Sequence, residues 1–408
     1  MWEQIASNRR KSTSLVVLMA LLLSALGWFL GEYFLGQGGG VSGVALAVII
    51  WVIMTLVAYF QGDSIYLAMS GARKVEKQDL PVLFNVVEEM TLAAGLGKMP
   101  DVYVIDDPAP NAFATGRRPE TAAVAVTSGL LKTLNRDELQ GVIAHEIAHV
   151  RNRDILLMLF AGVLAGAVVI LAEVGLRGMW FGGGRSRRRE GGDGGGQAII
   201  MIIAVVLMIL APIMAQLIYF AVSRKREYLA DASAASFTRY PEGLASALEK
   251  ISRAPARLAS ANKATAPMYI INPLARDGKM AANGTSTHPP IDERIRILRS
   301  MAGTDFADYD RSFREVTGKG KGVIPGSALD GAGAREGSAA RAAGDTAAGA
   351  AAGGFATQRQ RAREVDDFLY RKEGYGRVEC PCGAILKIPP SFQAAKVKCP
   401  RCGRVHSL

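Results

Sequence analysis

Four stretches of this chain carry no charged side chain at all: Leu15–Gly31, Val41–Phe60, Ile155–Ala172 and Ala198–Val222. A helix rises about 1.5 Å per residue and the hydrocarbon core of a bilayer is about 30 Å thick, so roughly 20 apolar residues cross it. The second and fourth stretches are long enough as they stand. The first and third reach that length by taking in Tyr33–Leu35 and Val174–Leu176, which sets Glu32 and Glu173 near a membrane boundary. Buried helices of soluble proteins rarely exclude charge on every face, so four such runs predict four transmembrane helices. Arg9, Arg10 and Lys11 precede the first run as they would a signal peptide. No small-x-small cleavage site follows it, and a retained anchor is expected.

Half of the residues are hydrophobic and only 21% are charged, with a formal net charge of +11. Much of that excess sits in short clusters beside the apolar runs, which suits membrane topology better than a nucleic-acid-binding face. The cluster Arg9–Lys11 stands before the first run, the connection Gln37–Val41 is uncharged, and Arg73, Lys74 and Lys77 follow the second. The N-terminus and the segment after the second run are therefore expected on the cytoplasmic side of the inner cell membrane. Arg185, Arg187, Arg188 and Arg189, between the third and fourth runs, run against this bias. Either they are translocated, or the second pair of runs forms a hairpin that does not cross fully.

The runs divide the chain. Residues 1–60 form a first hairpin, 61–154 a soluble α/β segment, 155–222 a second hairpin, and 223–316 a second, helical soluble part. In the first soluble segment Gln78–Ala94 has apolar residues at helical spacing. Val102–Ile105 and Ala122–Val126 read as short strands, and Asn135 with Glu138 is a capping signature for a helix running to Arg151. Gly318–Gln358, within a linker spanning 317–376, is rich in Gly and Ala and poor in large apolar side chains, so it is expected to be disordered. Glu364–Lys372 reads as a brief helix, and 377–408 as a separate small module.

Chemistry concentrates in the capped helix. His145 and His149 stand four residues apart, one above the other on one face, so both imidazoles reach a single ion. Glu146 is offset and can take a proton from water activated there, as amide hydrolysis requires. Apolar neighbours (Val142, Ile143, Ala144, Ile147, Ala148 and Val150) bury the polar trio, which then needs partners. A third metal ligand leaves one position for water, and Glu227 in the run Ser223–Asp231 is the best candidate. Asp231, one turn on, can accept the free N–H of a ligand histidine and fix its tautomer. The two half-sites flank the second hairpin, whose two crossings return the chain to the same side.

Taken together, Asn111–Gly116, the His145–His149 motif, the Arg-Glu-Tyr core of Ser223–Asp231, and Thr287–Pro290 followed by Glu293, Arg294 and Ile295 resemble peptidase family M48, a family of membrane zinc metallopeptidases. The resemblance covers roughly residues 1–300. It implies a gluzincin-type fold, one zinc held by His145, His149 and Glu227, Glu146 as general base, and cytoplasmic cleavage of membrane proteins in quality control. It also favours Asn111, Ala112, Phe113, Ala114 and Thr115 as an extended segment offering backbone groups to a substrate peptide. Without it, an ordinary turn and strand would be the better reading. His288 and Arg294 are candidates for stabilising an oxyanion, although His288 can equally cap a loop and Arg294 can pair with Asp231.

The C-terminal module lies beyond the resemblance. Cys380 and Cys382, with Cys399 and Cys402, form two close pairs that satisfy a closed tetrahedral zinc site. So short a module has no adequate hydrophobic core, and bound zinc would supply its folding energy. Its cations (Arg377, Lys387, Lys396, Lys398, Arg401 and Arg404) lack an aromatic stacking platform, so a protein partner ranks above nucleic acid. The whole reads as an α+β membrane protein: four transmembrane helices, a mainly helical zinc endopeptidase and a zinc ribbon, with two zinc ions per chain. Its substrates are expected to be membrane proteins or unfolded polypeptides. The alternatives are a non-enzymatic membrane adaptor with a partner-binding ribbon, and an M48 peptidase acting on prenylated C-terminal peptides.

Overall fold

The computed structural model describes residues 2–155, 205, 224–256, 258–259, 268–271, 273, 288–330, 362–392 and 395–407. Apart from Ile155 and Val205, the third and fourth apolar runs lie outside these residues, as do the arginines between them and Thr287. Among the described residues, two helices are long and apolar enough to cross a membrane, Val16–Leu35 and Gly39–Met69. They belong to α1 (Trp2–Leu35) and α2 (Gly39–Met69). Helix α1 takes in the Tyr33–Leu35 extension, and the turn is tighter than the expected Gln37–Val41 loop. Gly38 caps α2 at φ +84°, in the left-handed region open to glycine. Glu32 does sit at this boundary, and its Oε1 accepts the Gly40 N–H at 3.1 Å. The two helices touch backbone to backbone, because Gly27 faces Gly43 and a methyl group at either would strike the facing carbonyl.

Helix α2 outlasts its apolar run and delivers β1 (Ala72–Lys74) to a mixed sheet with β2 (Asp101–Ile105), β3 (Ala112–Thr115) and β4 (Ala123–Thr127), in the order β1-β2-β4-β3. Only the β2–β4 pair is parallel. Both faces are buried, and by alternate residues. Val102, Val104, Ala112, Ala114, Val124 and Val126 face the helical body. Ile105, Phe113, Ala123 and Ala125 pack in a second cluster with Met19, Leu23 and Ala58 of the membrane hairpin. The sheet is thus clamped between hairpin and body.

On the body side, α3 (Pro81–Ala93) starts at Pro81, later than the periodicity alone indicated, because proline favours the first helical position. A short α4 (Ser128–Thr133) leads to α5 (Arg136–Arg151), whose capping box is formed by Asn135 and Glu138 as expected. A helix over 224–238 (α6) is followed by α7 (Pro241–Arg253), α8 (Ile291–Arg299) and α9 (Phe306–Thr317). Helix α7 crosses α5 where Gly141 lies against the Leu244 backbone. Glu138 also accepts hydrogen bonds from Ser246 at 2.7 Å and Lys250 at 2.8 Å, pinning that crossing.

The body extends further along the chain than composition indicated. Asp310 Oδ1 accepts the N–H groups of Val323 at 2.8 Å and Ile324 at 3.0 Å, and a short α10 (Gly326–Asp330) follows. Ile324 and Ala328 join the main core, so 318–330 is ordered rather than part of a disordered linker. A few apolar residues at its start were lost in the Gly/Ala average of the longer stretch. Residues 331–361 lie outside the described residues. A helix over 362–372 (α11) then lays Val365, Phe368 and Leu369 into the same core. Burial of such side chains stabilises by about 1.5–3 kcal/mol each. Ion pairs from Lys132 to Asp366 at 2.6 Å and from Arg371 to Asp79 at 3.1 Å flank the contact. The final module consists of two antiparallel hairpins, β5 (Gly376–Glu379) with β6 (Ile385–Ile388) and β7 (Lys396–Lys398) with β8 (Val405–Ser407).

Candidate metal centre

Helix α5 is buried from Val142 to Val150, and the only polar side chains in that stretch are His145, Glu146 and His149. The one-turn spacing aims both imidazoles the same way, with Nε2 atoms 3.2 Å apart. Helix α6 brings Glu227 against them. Its Oε2 lies 3.6 Å from His145 Nε2 and its Oε1 lies 3.5 Å from His149 Nε2. All three residues are buried, and their ligand atoms lie within 4.8 Å of one another. A tetrahedral zinc with nitrogen and oxygen ligands at about 2.0–2.2 Å needs donors about 3.3–3.6 Å apart. The separations here, 3.2, 3.5 and 3.6 Å, lie close to it, the two to Glu227 being from its two different oxygens. Glu227 Oε2 is fully buried with no hydrogen-bond partner among the described residues, a costly arrangement that a cation would relieve.

Each histidine is oriented from behind. Asp231 Oδ1 lies 2.9 Å from His145 Nδ1, and Asp154 Oδ2 lies 3.2 Å from His149 Nδ1. Both imidazoles thereby turn Nε2 toward Glu227. The role expected of Asp231 has its geometry here. Asp154 was overlooked in the sequence, where it reads as one more charge ahead of an apolar run. Its signal was position, an acid five residues past His149, just beyond the end of α5 and directly ahead of an apolar run. Burial opposes ionisation of Asp231, but the Arg294 guanidinium and the bond from His145 hold its carboxyl below the ordinary range.

Arg294 has 0% exposure, and its Nη1 also lies 3.6 Å from Glu227 Oε2, so its charge reaches the trio itself. Nε and Nη2 bond Asp231 in a fork at 2.8 and 2.7 Å, and Nη1 donates to the Ile270 carbonyl at 3.2 Å. The geometry is that of the Asp231 pairing. His288 lies nearer the trio, with Nε2 3.7 Å from Glu227 Oε2, and burial pushes its imidazole down to about 4. A neutral ring retains one N–H to donate.

Glu146 is 1% exposed beside the trio. Burial raises its carboxyl above the ordinary range, against the pull of the two histidines, and the Ala114 N–H hydrogen-bonds it. Its Oε1 has no partner among the described residues. Strand β3 therefore touches the centre directly, which spacing alone did not reveal. Its outer edge is not open throughout. The Ala112 carbonyl accepts the Ile270 N–H at 2.9 Å, and the Asn111 side chain donates to the Ile271 carbonyl at 2.9 Å. Phe113 stacks edge-on against Tyr269, with ring centroids 5.1 Å apart. The segment Asn111–Thr115, read as an open edge, thus carries 269–271 at its start. A peptide added there has to displace that segment or pair beyond it.

A second cluster lies in the C-terminal module. Cys380 and Cys402 Sγ atoms are 3.4 Å apart, those of Cys382 and Cys399 are 3.7 Å apart, and all four cysteines are free thiols. Zinc–sulfur bonds of about 2.3 Å place tetrahedral sulfurs about 3.8 Å apart, so this set fits as well. Backbone N–H groups, foremost that of Cys402, hold the Cys399 thiol below its ordinary range, while against the Cys382 N–H, loss of solvent and the neighbouring sulfurs hold that of Cys380 above it. His406 is not among the grouped ligands.

The profile of Peptidase family M48 matches residues 77–302. A "Protease HtpX homolog" of Thermoanaerobacter pseudethanolicus is 47% identical over 301 residues, spanning 74% of this chain and 98% of that protein. A protein of the same description from Caldanaerobacter subterraneus subsp. tengcongensis is 46% identical with the same coverage. One from Streptococcus uberis is 42% identical and is covered in full. Among solved structures, that of S. mikatae Ste24p is similar over 73% of this chain and 67% of that one at 20% identity, with a TM-score of 0.40, too loose to argue from. About a quarter of the chain has no counterpart in these relatives, and the family profile stops short of both α11 and the cysteine module.

Proposed function

The chain belongs to peptidase family M48, and on that premise we propose that it is a membrane-embedded zinc endopeptidase whose centre is His145, His149 and Glu227, with Glu146 as general base. The observation that carries this reading is one buried cluster in which three ligand groups, their donor atoms within 4.8 Å of one another, adjoin a carboxylate that burial holds above its ordinary range and that keeps one oxygen unpartnered among the described residues. A zinc ion held there supplies Lewis acidity, bringing deprotonation of a water toward neutral pH. Glu146 takes that proton during attack on the peptide carbonyl and returns it to the leaving amine, and its raised affinity for a proton suits both steps. The Ala114 N–H keeps the carboxylate aimed. His288 donates its ring N–H to the oxygen that gains charge, while Arg294 acts at one remove by holding Asp231, and through it His145. Residues beyond Ala112 on β3 supply the edge for an extended substrate.

The substrates we assign are membrane proteins and misfolded polypeptides, cut on the cytoplasmic side of the inner cell membrane. The close approach of His149 to Glu227 supports a shared face for the two ends of 155–222, as an even number of crossings between them requires. The basic cluster Arg9–Lys11 supports the cytoplasm as that face. Family membership and the buried base disfavour a non-enzymatic adaptor. The four-cysteine cluster is assigned a second, structural zinc, making the module a zinc ribbon.

Glu146→Gln tests the mechanism. Cleavage of an unfolded membrane protein by the detergent-purified chain is expected to fall at least about a hundredfold, with zinc content unchanged. Retained cleavage overturns the assignment.

A further inference from the structure

Where α2 leaves its apolar run, two aromatic side chains hold two cations. The Arg117 guanidinium lies 5.3 Å from the centre of the Tyr59 ring and 5.4 Å from that of Phe60. Arg118 Nη2 donates to the Tyr59 hydroxyl at 3.3 Å. Tyr59 and Phe60 end the uncharged stretch, and Gln61 and Asp63 follow at once. Aromatic rings at such a junction sit at headgroup depth. Phe60 is 56% exposed, Arg118 is exposed, and no carboxylate among the described residues pairs with either arginine. Lys98 reaches the same turn through the Glu120 carbonyl at 2.9 Å.

A third arginine lies at this level. Gly27 faces Gly43 and Gly31 faces Gly39, which fixes the antiparallel register of the hairpin. Carried residue for residue along the two helices, that register sets Arg10 level with Phe60, and Arg10 is exposed. Guanidinium groups bind phosphate oxygens in a fork. We propose that Arg10, Arg117 and Arg118 form a binding site for anionic phospholipid headgroups at the rim where the membrane hairpin meets the peptidase body.

This site bears on the centre through a short covalent path. Arg117 follows Gly116, and Gly116 follows β3, whose Ala114 N–H holds Glu146. At about 3.3 Å per extended residue, Ala114 lies roughly 10 Å from Arg117. Headgroups bound by Arg117 and Arg118 fix β3, and with it the base, close to the bilayer surface. A segment emerging from that bilayer reaches the centre without a long excursion. The lipid binding stands apart from the proteolytic reading, and only this consequence rests on it.

The test uses the full zinc-loaded chain carrying Glu146→Gln, so that lipid binding is read without cleavage. Native mass spectrometry with equal phosphatidylglycerol and phosphatidylcholine of matched acyl chains measures headgroup preference. The chain with its arginines intact is expected to retain phosphatidylglycerol preferentially. Arg117→Gln/Arg118→Gln is expected to lower that preference by up to about fivefold per arginine, and Arg117→Lys/Arg118→Lys to keep most of it. Inorganic phosphate is expected not to displace the lipid, and displacement at millimolar phosphate would make this a free-anion site and overturn the lipid assignment. In the active chain, the Gln pair is expected to lose the stimulation by phosphatidylglycerol of cleavage of a membrane-anchored peptide in vesicles, while cleaving a soluble peptide normally. Equal retention of both lipids by the chain with intact arginines overturns the proposal even if the Gln pair fails to fold.

Discussion

The two ligand clusters of this protein are built in opposite ways. His145, His149 and Glu227 sit in a core assembled independently of them, and their orientation is set by Asp231, Asp154 and Arg294, all of 0% exposure. Two of the four cysteines, Cys380 and Cys399, are themselves most of the small buried core of their module, together with Leu386 and a few half-buried neighbours that include Cys382. The first centre is a site cut into a stable body, so a metal adds chemistry. The second has little to fold around without a metal. Only the first lies within the stretch matched by the family profile.

Chelation gives the sharpest contrast. Binding energies of about 10–16 kcal/mol are typical for structural zinc in small modules. Removing metal is expected to abolish hydrogen-exchange protection in β5–β8 while α5 stays protected. Loss of protection across α5 would mean that the first centre is also metal-folded. Next in size is Arg294→Ala, which strands Asp231 in the core. A loss of about 3–5 kcal/mol in unfolding free energy is expected from denaturant titration, and a loss below 1 kcal/mol would show that Asp231 is not held by this pair. Asp154→Asn is smaller. It frees the ring of His149 and should weaken zinc binding at the first centre about 10–100-fold, by competition with a chelating dye, with the fold intact. The smallest effect is expected for Lys132→Ala, since its pair with Asp366 is half-exposed. At most about 1 kcal/mol should be lost from the docking of α11. Phe368→Ala, which removes a buried ring, should release that helix to proteolysis.

Legibility in the sequence follows the range of the interactions. The capped helix, its histidine pair, and the Glu227/Asp231 pair were readable because each depends on spacing within one helix. Counting crossings showed only that these halves can share one side, a topological step rather than a local one; their meeting at 3.5 Å comes from the fold. Asp154 escaped because its meaning depends on burial. The bond from Ala114 to Glu146 escaped because backbone donors leave no mark in a sequence. Glu364–Lys372 was readable as a brief helix, yet nothing local indicated that its Val365, Phe368 and Leu369 would close on the main core. In 318–330, averaging over a Gly/Ala-rich stretch hid the contribution of Val323 and Ile324. The membrane hairpin was legible because its constraint, charge exclusion over a bilayer's thickness, is written residue by residue.

The joint grip of His145, His149 and Glu227 on one ion is tested most directly by zinc-edge X-ray absorption on the full chain carrying Cys399→Ser, which removes the competing sulfur site. One zinc per chain is expected, with nitrogen and oxygen neighbours only, at about 2.0–2.2 Å, and it should be lost in the further variant Glu227→Gln. A chain that binds no zinc, or binds it equally well after Glu227→Gln, would contradict the account.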